Sequence, residues 1–283
     1  MSPNKDRCTV EKCLFEAKKR LKASGAEEYA LDSELFMMKA VGFSKIQLFT
    51  KNDYILTDEE YDSFEKMVQR REKGEPCQYI TGKSFFFDHE FLVNKNVLIP
   101  RPDTEVLVET VIEYGKKFGL KKMLDIGTGS GCIAVSLALE GFDMTACDIS
   151  TAALETAEKN AAFNGADVKF VYSDVFDGLK GEKFDAVVSN PPYIETAVIP
   201  TLMREVKNFE PKGALDGGDD GLMFYRQIIF EGKAHLNEGG HIFFEIGYNQ
   251  ADAVKKLFEE NGYKDVKIIK DLAGLDRVAA GRL

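Results

Sequence analysis

Phe184-Asp185-Ala186-Val187-Val188-Ser189-Asn190-Pro191-Pro192-Tyr193 is the stretch that decides how this chain folds. An apolar run rich in β-branched residues reads as a buried parallel strand. Two prolines cannot extend it, because neither donates a ladder hydrogen bond. The strand therefore stops at Asn190, leaving a carboxamide, stiff backbone carbonyls and an aromatic ring at its carboxyl end. In open α/β sheets that edge is where ligands bind. The set suits holding a flat –NH2 group between two acceptors and an aromatic face while its nitrogen attacks an electrophile. A surface Pro-Pro turn is the ordinary alternative, and the surrounding sequence argues against it.

On either side of this run, strands and helices alternate from Lys122 onward, the pattern of a parallel sheet covered on both faces. The expected strands are 123–126, 144–148, 168–172, 184–189, 241–246, 266–269 and 277–281, seven in all. Helices are expected over 132–139, 152–164, 222–236 and 251–260. The first strand runs into Gly127-Thr128-Gly129-Ser130-Gly131-Cys132, a turn of three glycines opening a helix. Glycines allow a tight turn and let a ligand lie against bare backbone. A dinucleotide site wants G-x-G-x-x-G, but here the spacing is G-x-G-x-G, no Lys or Arg grips a pyrophosphate, and Asp125 would repel one. An acidic strand end suits a ligand without phosphates, such as the cationic S-adenosylmethionine. Asp148 ends the next strand, where a carboxylate can accept from both hydroxyls of an adenosine ribose; as a helix N-cap it is outdone by Ser150. Asp174 follows the third strand. It either accepts from the adenine amine, with Val175 or Phe176 on the ring, or is a solvated turn residue.

The first 82 residues read as short helices. Val10, Cys13, Leu14, Ala17 and Leu21 make one apolar stripe, with Thr9 as N-cap and Gly25 as stop. Residues 30–41 carry a second stripe ending at Gly42. Thr57-Asp58-Glu59-Glu60 is a capping box opening a third helix, which should run to about Lys73, with Gly74 ending it and Pro76 preventing resumption. Such a bundle suits either partner recognition or a stabilising cap. Residues 83–99 change period and read as a hairpin linker with polar turns at Asp88-His89 and Asn94-Lys95-Asn96. Residues 100–283 then form the large domain, opened by a helix with Pro102 in its first turn.

Composition narrows the class. No window approaches the roughly 18 apolar residues of a membrane helix. The charged start, Met1 to Arg7, lacks a signal-peptide core, so the expectation is cytoplasmic. The five cysteines are odd in number, scattered and without a C-x-x-C pair, which suits reduced thiols; with three distant histidines there is no metal signature. Through Gly74 acidic and basic residues balance at 14 each, so the whole net charge of −10 falls on the remainder. Nucleic-acid affinity rests largely on Lys and Arg at phosphates; an acidic catalytic region counts against a DNA or RNA substrate.

Five motifs together resemble the peptide chain release factor glutamine methyltransferases (HemK-type) over nearly the whole chain. They are Gly74-Glu75-Pro76-Cys77-Gln78-Tyr79-Ile80-Thr81-Gly82, Val97-Leu98-Ile99-Pro100-Arg101-Pro102-Asp103-Thr104-Glu105, Asp125 to Gly131, Ser189-Asn190-Pro191-Pro192-Tyr193-Ile194, and Gly213-Ala214-Leu215-Asp216-Gly217-Gly218. The resemblance implies a seven-stranded, Rossmann-like class I S-adenosylmethionine-dependent methyltransferase sheet with a final antiparallel strand, joined through a hairpin to a helical domain that engages the substrate. It implies methylation of the side-chain amide nitrogen of the Gly-Gly-Gln glutamine in class I release factors, with no metal, no direct nucleic-acid partner and no membrane. Carried over by motif, Gly127, Thr128, Gly129, Ser130, Gly131 and Asp148 bind the cofactor; the reading of the residues adds Asp174, Val175 and Asn190 as candidates beside it. Asn190, Pro191, Pro192 and Tyr193 hold the glutamine. Val175 is a departure, since many members of the family carry an aromatic residue there. Two other readings stay open: methylation of an exocyclic amine of adenine or guanine in nucleic acid, which the same Asn-Pro-Pro-aromatic device suits, and a binding module without catalysis.

Overall fold

A computed structural model describes residues 8–283, so the opening Met1–Arg7 stretch lies outside the described residues. The chain divides into two compact units, one reaching to Gly82 with Met203–Phe209 added, the other made of Lys83–Leu202 and Glu210–Leu283.

The first unit holds α1 (Val10–Ala23), α2 (Tyr29–Val41), α3 (Lys45–Thr50), α4 (Asp58–Glu72) and α5 (Cys77–Thr81). Both cap readings describe real contacts. Thr9 accepts from the Lys12 amide, and Thr57 accepts from the Glu60 amide at 3.2 Å while Glu60 returns the bond to Thr57 N at 2.8 Å. Pro76 does not prevent resumption. It caps the five-residue α5, because a proline with no amide to lose suits the start of a helix. Val10, Leu21, Phe36, Met37 and Val68 form the core. Within it Arg71, 4% exposed, bonds Asp32 at 2.6 Å and Glu205 at 2.5 Å. The expectation of reduced thiols fails at one pair: Cys8 and Cys13 are joined in a disulfide, since the entry to α1 brings their Cα atoms to 6.1 Å. The other three thiols are buried, and burial pushes all of them up, Cys132 to about 12.

The second unit opens with the hairpin β1 (Lys83–Phe86) and β2 (His89–Leu92). Its turn is Phe87-Asp88, with φ of 49° and 62°, the left-handed pair that a two-residue hairpin demands. The expected second turn residues, 94–96, lie beyond the strands. After α6 (Glu105–Phe118) come β3 (Lys122–Ile126), α7 (Cys132–Leu139), β4 (Asp143–Asp148), α8 (Thr151–Asn164), β5 (Val168–Tyr172) and β6 (Phe184–Ser189). The chain leaves this unit for α9 (Arg204–Phe209) and returns through α10 (Met223–Gly232), β7 (Leu236–Glu245), α11 (Ala251–Glu260), β8 (Lys264–Lys270) and β9 (Asp276–Arg282). The helix expected over 222–236 ends at Gly232, because Leu236 joins the ladder opposite Phe184.

The seven sheet strands run β5-β4-β3-β6-β7-β9-β8, parallel except for β9, which is antiparallel to both neighbours. Alternate residues serve alternate faces. Met123, Val188 and Phe243 pack with α6, α7 and α8, while Leu124, Val187, Ile242 and Phe244 pack with α10 and α11. The order reverses between β3 and β6, so the loops that leave their carboxyl ends diverge and open a crevice there. Among the described residues no helix is long and apolar enough to cross a membrane.

Candidate active site

At that reversal, Ile126 of β3 pairs with Ser189 of β6, and the Ser189 hydroxyl donates to the Ile126 carbonyl at 2.7 Å. The glycine turn and the Asn-Pro-Pro segment therefore leave the sheet side by side. Between them lies a cavity of about 240 Å³. Gly127, Thr128, Gly129, Ser130, Asp148, Asp174, Val175, Asn190, Pro191 and Pro192 all line it. Gly131 and Tyr193 are the two expected site residues that do not.

The glycine turn needs its glycines. Gly127, Gly129 and Gly131 have φ of 71°, 55° and 80°, where a Cβ is strained. At Gly131 a Cβ would also stand 3.0 Å from Ala157 Cβ, so this glycine serves the packing of α7 on α8. The turn is anchored from beneath. Gly127 N and Thr128 N donate to the Cys147 carbonyl at 2.9 and 3.0 Å, and Thr128 Oγ1 donates to Asp125 at 2.7 Å. Asp125 is fully buried, and burial pushes its carboxyl up to about 7, with Asp148 adding to the push and Thr128 opposing it.

Asp148 accepts from Gly129 N at 2.9 Å through one oxygen and from Ser150 N at 2.8 Å through the other. Each oxygen keeps a second lone pair, so the carboxylate is oriented and still able to accept from a ligand. Ser150, with the Ala153 amide on its hydroxyl, is the N-cap of α8. Val175 and Phe176 have different surroundings. Val175 lines the cavity, whereas the Phe176 ring stacks on His235 at 4.4 Å in the core. Val175 has φ of 46°, an uncommon state for a β-branched residue, and its carbonyl accepts from Ser173 Oγ at 2.9 Å.

Asn190 Nδ2 donates to Thr104 Oγ1 at 3.2 Å. That bond uses one of the two N–H groups of Asn190, whose side chain lines the cavity. The expected role of Tyr193 meets a competing partner: its ring packs with the core and its hydroxyl donates to Glu245 at 3.2 Å. Burial, then the charge of Glu245, push that phenol up. The backbone of the segment is braced from behind. Gln250 Nε2 donates to the Tyr193 carbonyl at 3.0 Å, and Ile194 N donates to the Leu215 carbonyl at 3.0 Å. Gly217 and Gly221 are required at this crossing, since a Cβ on either would fall within 2.8 Å of the Pro192 or Tyr193 backbone.

Thr104, Arg101, Gln250 and Glu245 were not singled out for the site. Arg101 lines the cavity and pairs with Glu210 at 2.5 Å. Glu105 accepts from Phe87 N at 2.9 Å and so holds the hairpin turn. Glu245 carried a signal: a carboxylate inside the apolar run Ile242-Phe243-Phe244-Glu245-Ile246 must be partnered when buried. Among the described residues no group of His, Cys, Asp and Glu is placed to hold a metal ion.

The strand order, the glycine turn after β3 and a cavity at the reversal define a class I methyltransferase fold. A crystal structure of a methyltransferase from Pyrococcus furiosus has the same fold, with a TM-score of 0.50 at 21% identity, covering 70% of this chain and 90% of that one. Residues 102–208 match the methyltransferase small domain, and residues 12–82 match the PrmC N-terminal domain. The release factor glutamine methyltransferase of Geobacter sulfurreducens is 40% identical over 277 residues, covering 97% of each chain. That of Koribacter versatilis is 39% identical over 277 residues, covering 97% of this chain and 98% of its own. The chain belongs to the release factor glutamine methyltransferase family.

Proposed function

We propose that this protein methylates the side-chain amide nitrogen of the glutamine in the Gly-Gly-Gln motif of class I release factors, with S-adenosylmethionine as methyl donor. The observation that carries the reading is the Asn190 carboxamide, tied by its nitrogen to Thr104 and flanking the cavity beside the glycine turn. The donor fits the residues present. Bare backbone at Gly127 and Gly129, where a Cβ would meet nothing closer than 4.0 Å, accommodates a ligand lying flat on the turn. Asp148 offers acceptors for the ribose hydroxyls, Asp174 stands at the rim for the adenine amine, and Val175 supplies apolar contact for the ring. When bound, S-adenosylmethionine supplies a methyl group already activated on a sulfonium.

A carboxamide nitrogen is a poor nucleophile because its lone pair is delocalised into the carbonyl. Asn190 Oδ1 and the Pro191 carbonyl each accept one N–H of the substrate amide, which fixes the direction of the nitrogen and favours its pyramidalisation as positive charge develops. Alignment of this kind is worth on the order of 7–11 kcal/mol in well-oriented intramolecular reactions, and preorganised acceptors at the developing charge add to it. Pro192 forms part of the wall against the glutamine stem. Tyr193 acts from behind, its hydroxyl on Glu245 holding the segment in place. We assign release-factor docking to the helical unit, whose exposed Phe15, Ile46 and Phe49 offer apolar contacts. A substrate that acts in translation implies a cytoplasmic location.

The test is mass spectrometry of purified release factor incubated with the protein and S-adenosylmethionine, with RNA in a parallel arm. One methyl on the Gly-Gly-Gln glutamine supports the reading. Label in RNA and none on the factor overturns it in favour of an exocyclic amine.

A further inference from the structure

From the cavity wall inward, a relay of side chains reaches the Asn190 carboxamide. Thr104 Oγ1 accepts from Asn190 Nδ2, and Thr104, although only 2% exposed, lines the cavity beside it. Glu245, also 2% exposed, accepts from Tyr193 Oη through Oε1, while its Oε2 is buried and accepts no hydrogen bond at ordinary distance. A carboxylate can only accept, and a hydroxyl has one proton to give. The two groups are complementary: Thr104 has a proton to give, and Glu245 Oε2 is a buried acceptor without a donor at ordinary distance. Burial pushes Glu245 up, and the Thr104 hydroxyl, the charge of Arg277 and the Tyr193 hydroxyl pull it back.

We infer that Thr104 and Glu245 are positioning residues for methyl transfer: by taking the Thr104 proton, Glu245 leaves the Thr104 oxygen as an acceptor alone, and this holds Asn190 with Nδ2 inward and Oδ1 toward the substrate amide. The inference rests on the proposed reaction for its purpose. A carboxamide turned the other way would set its own N–H against the N–H of the glutamine, two donors face to face. Nothing in Asn190 itself prevents that turn, because the two ends of an amide have nearly the same shape. The choice is made two residues away, by a carboxylate that cannot donate. At position 245 a glutamine would carry an N–H, could donate to Thr104, and would free the Thr104 proton for Asn190 Oδ1.

Initial rates on release factor at saturating S-adenosylmethionine, cofactor Kd by calorimetry and melting temperatures should be compared for wild type, Thr104→Val, Thr104→Ser and Glu245→Gln. Expected is a fall in kcat of about 100-fold for Thr104→Val and Glu245→Gln, with cofactor Kd within about twofold and Thr104→Ser within about threefold of wild type. A substrate-free readout is hydrogen exchange of the Asn190 side-chain N–H pair, assigned by its loss in Asn190→Asp. Its protection should drop about tenfold in Thr104→Val and return in Thr104→Ser. Unchanged protection in Thr104→Val, or kcat within about threefold of wild type, overturns the inference; so does a kcat loss matched by cofactor affinity, or a serine variant as slow as valine. If wild type leaves release factor unmodified while protection drops as stated, the reaction is wrong and the orienting role stands.

Discussion

Asp125→Asn isolates a single buried charge under the glycine turn. Asp125 is fully buried, its one hydrogen-bond donor from a side chain is Thr128 at 2.7 Å, and its carboxyl is raised from 3.8 to about 7. A raised carboxyl means that the folded protein holds a proton which the unfolded chain releases above pH 4 or so. Its contribution to stability is therefore complete below 3.8, is lost as pH rises toward about 7, and stays lost above that. At about 1.4 kcal/mol per tenfold, the displacement corresponds to about 4 kcal/mol between the two limits. Asparagine has nearly the same shape, accepts from Thr128 through its oxygen and does not titrate. The unfolding free energy of Asp125→Asn minus that of wild type should therefore grow by about 4 kcal/mol between pH 4 and pH 8. Titrating groups that do not interact with Asp125 are common to both proteins and cancel in the difference. Urea unfolding followed by circular dichroism at four pH values, fitted with separate transitions for the two units, measures it. A difference that stays flat to within about 1 kcal/mol, or that shrinks as pH rises, refutes the argument that Asp125 is ionised at a cost.

Asn190→Ala should lower kcat by about 100- to 1,000-fold, the scale seen when one preorganised group at a developing charge is removed, while cofactor Kd stays within about threefold; equal losses in both would make Asn190 a wall of the donor pocket. Asp148→Ala should weaken S-adenosylmethionine by about 10- to 100-fold in calorimetry, from the loss of charge-assisted hydrogen bonds, with a smaller effect on kcat at saturation. In the helical unit Arg71→Ala leaves the buried Asp32 carboxylate without its 2.6 Å partner. This should destabilise that unit by about 3–5 kcal/mol, read by hydrogen exchange of α2 and α4 amides. A loss below about 1 kcal/mol would mean that water or another cation replaces the guanidinium.

Local chemistry was enough to read the elements around the site. The G-x-G-x-G turn at 127–131 needs glycines for their φ, Ser150 and Thr57 are caps by side-chain reach, and the Pro-Pro pair must end β6 at Ser189. Each depends on residues within about four positions of one another, so the sequence by itself determined it. Contacts between distant segments followed a different rule. Thr104 meets Asn190 across 86 positions. The Tyr193 hydroxyl turns to Glu245 because a buried carboxylate there outcompetes an open cavity for a donor. Phe176 goes to His235 in the core, leaving the smaller Val175 at the cavity. The segment Met203–Phe209 joins the helical unit, where Glu205 completes the pairing of Arg71. Periodicity and propensity say which face of an element is apolar, but not which distant donor will satisfy which buried acceptor. That matching is decided only when the whole sheet and its helices close around those groups and exclude water from them.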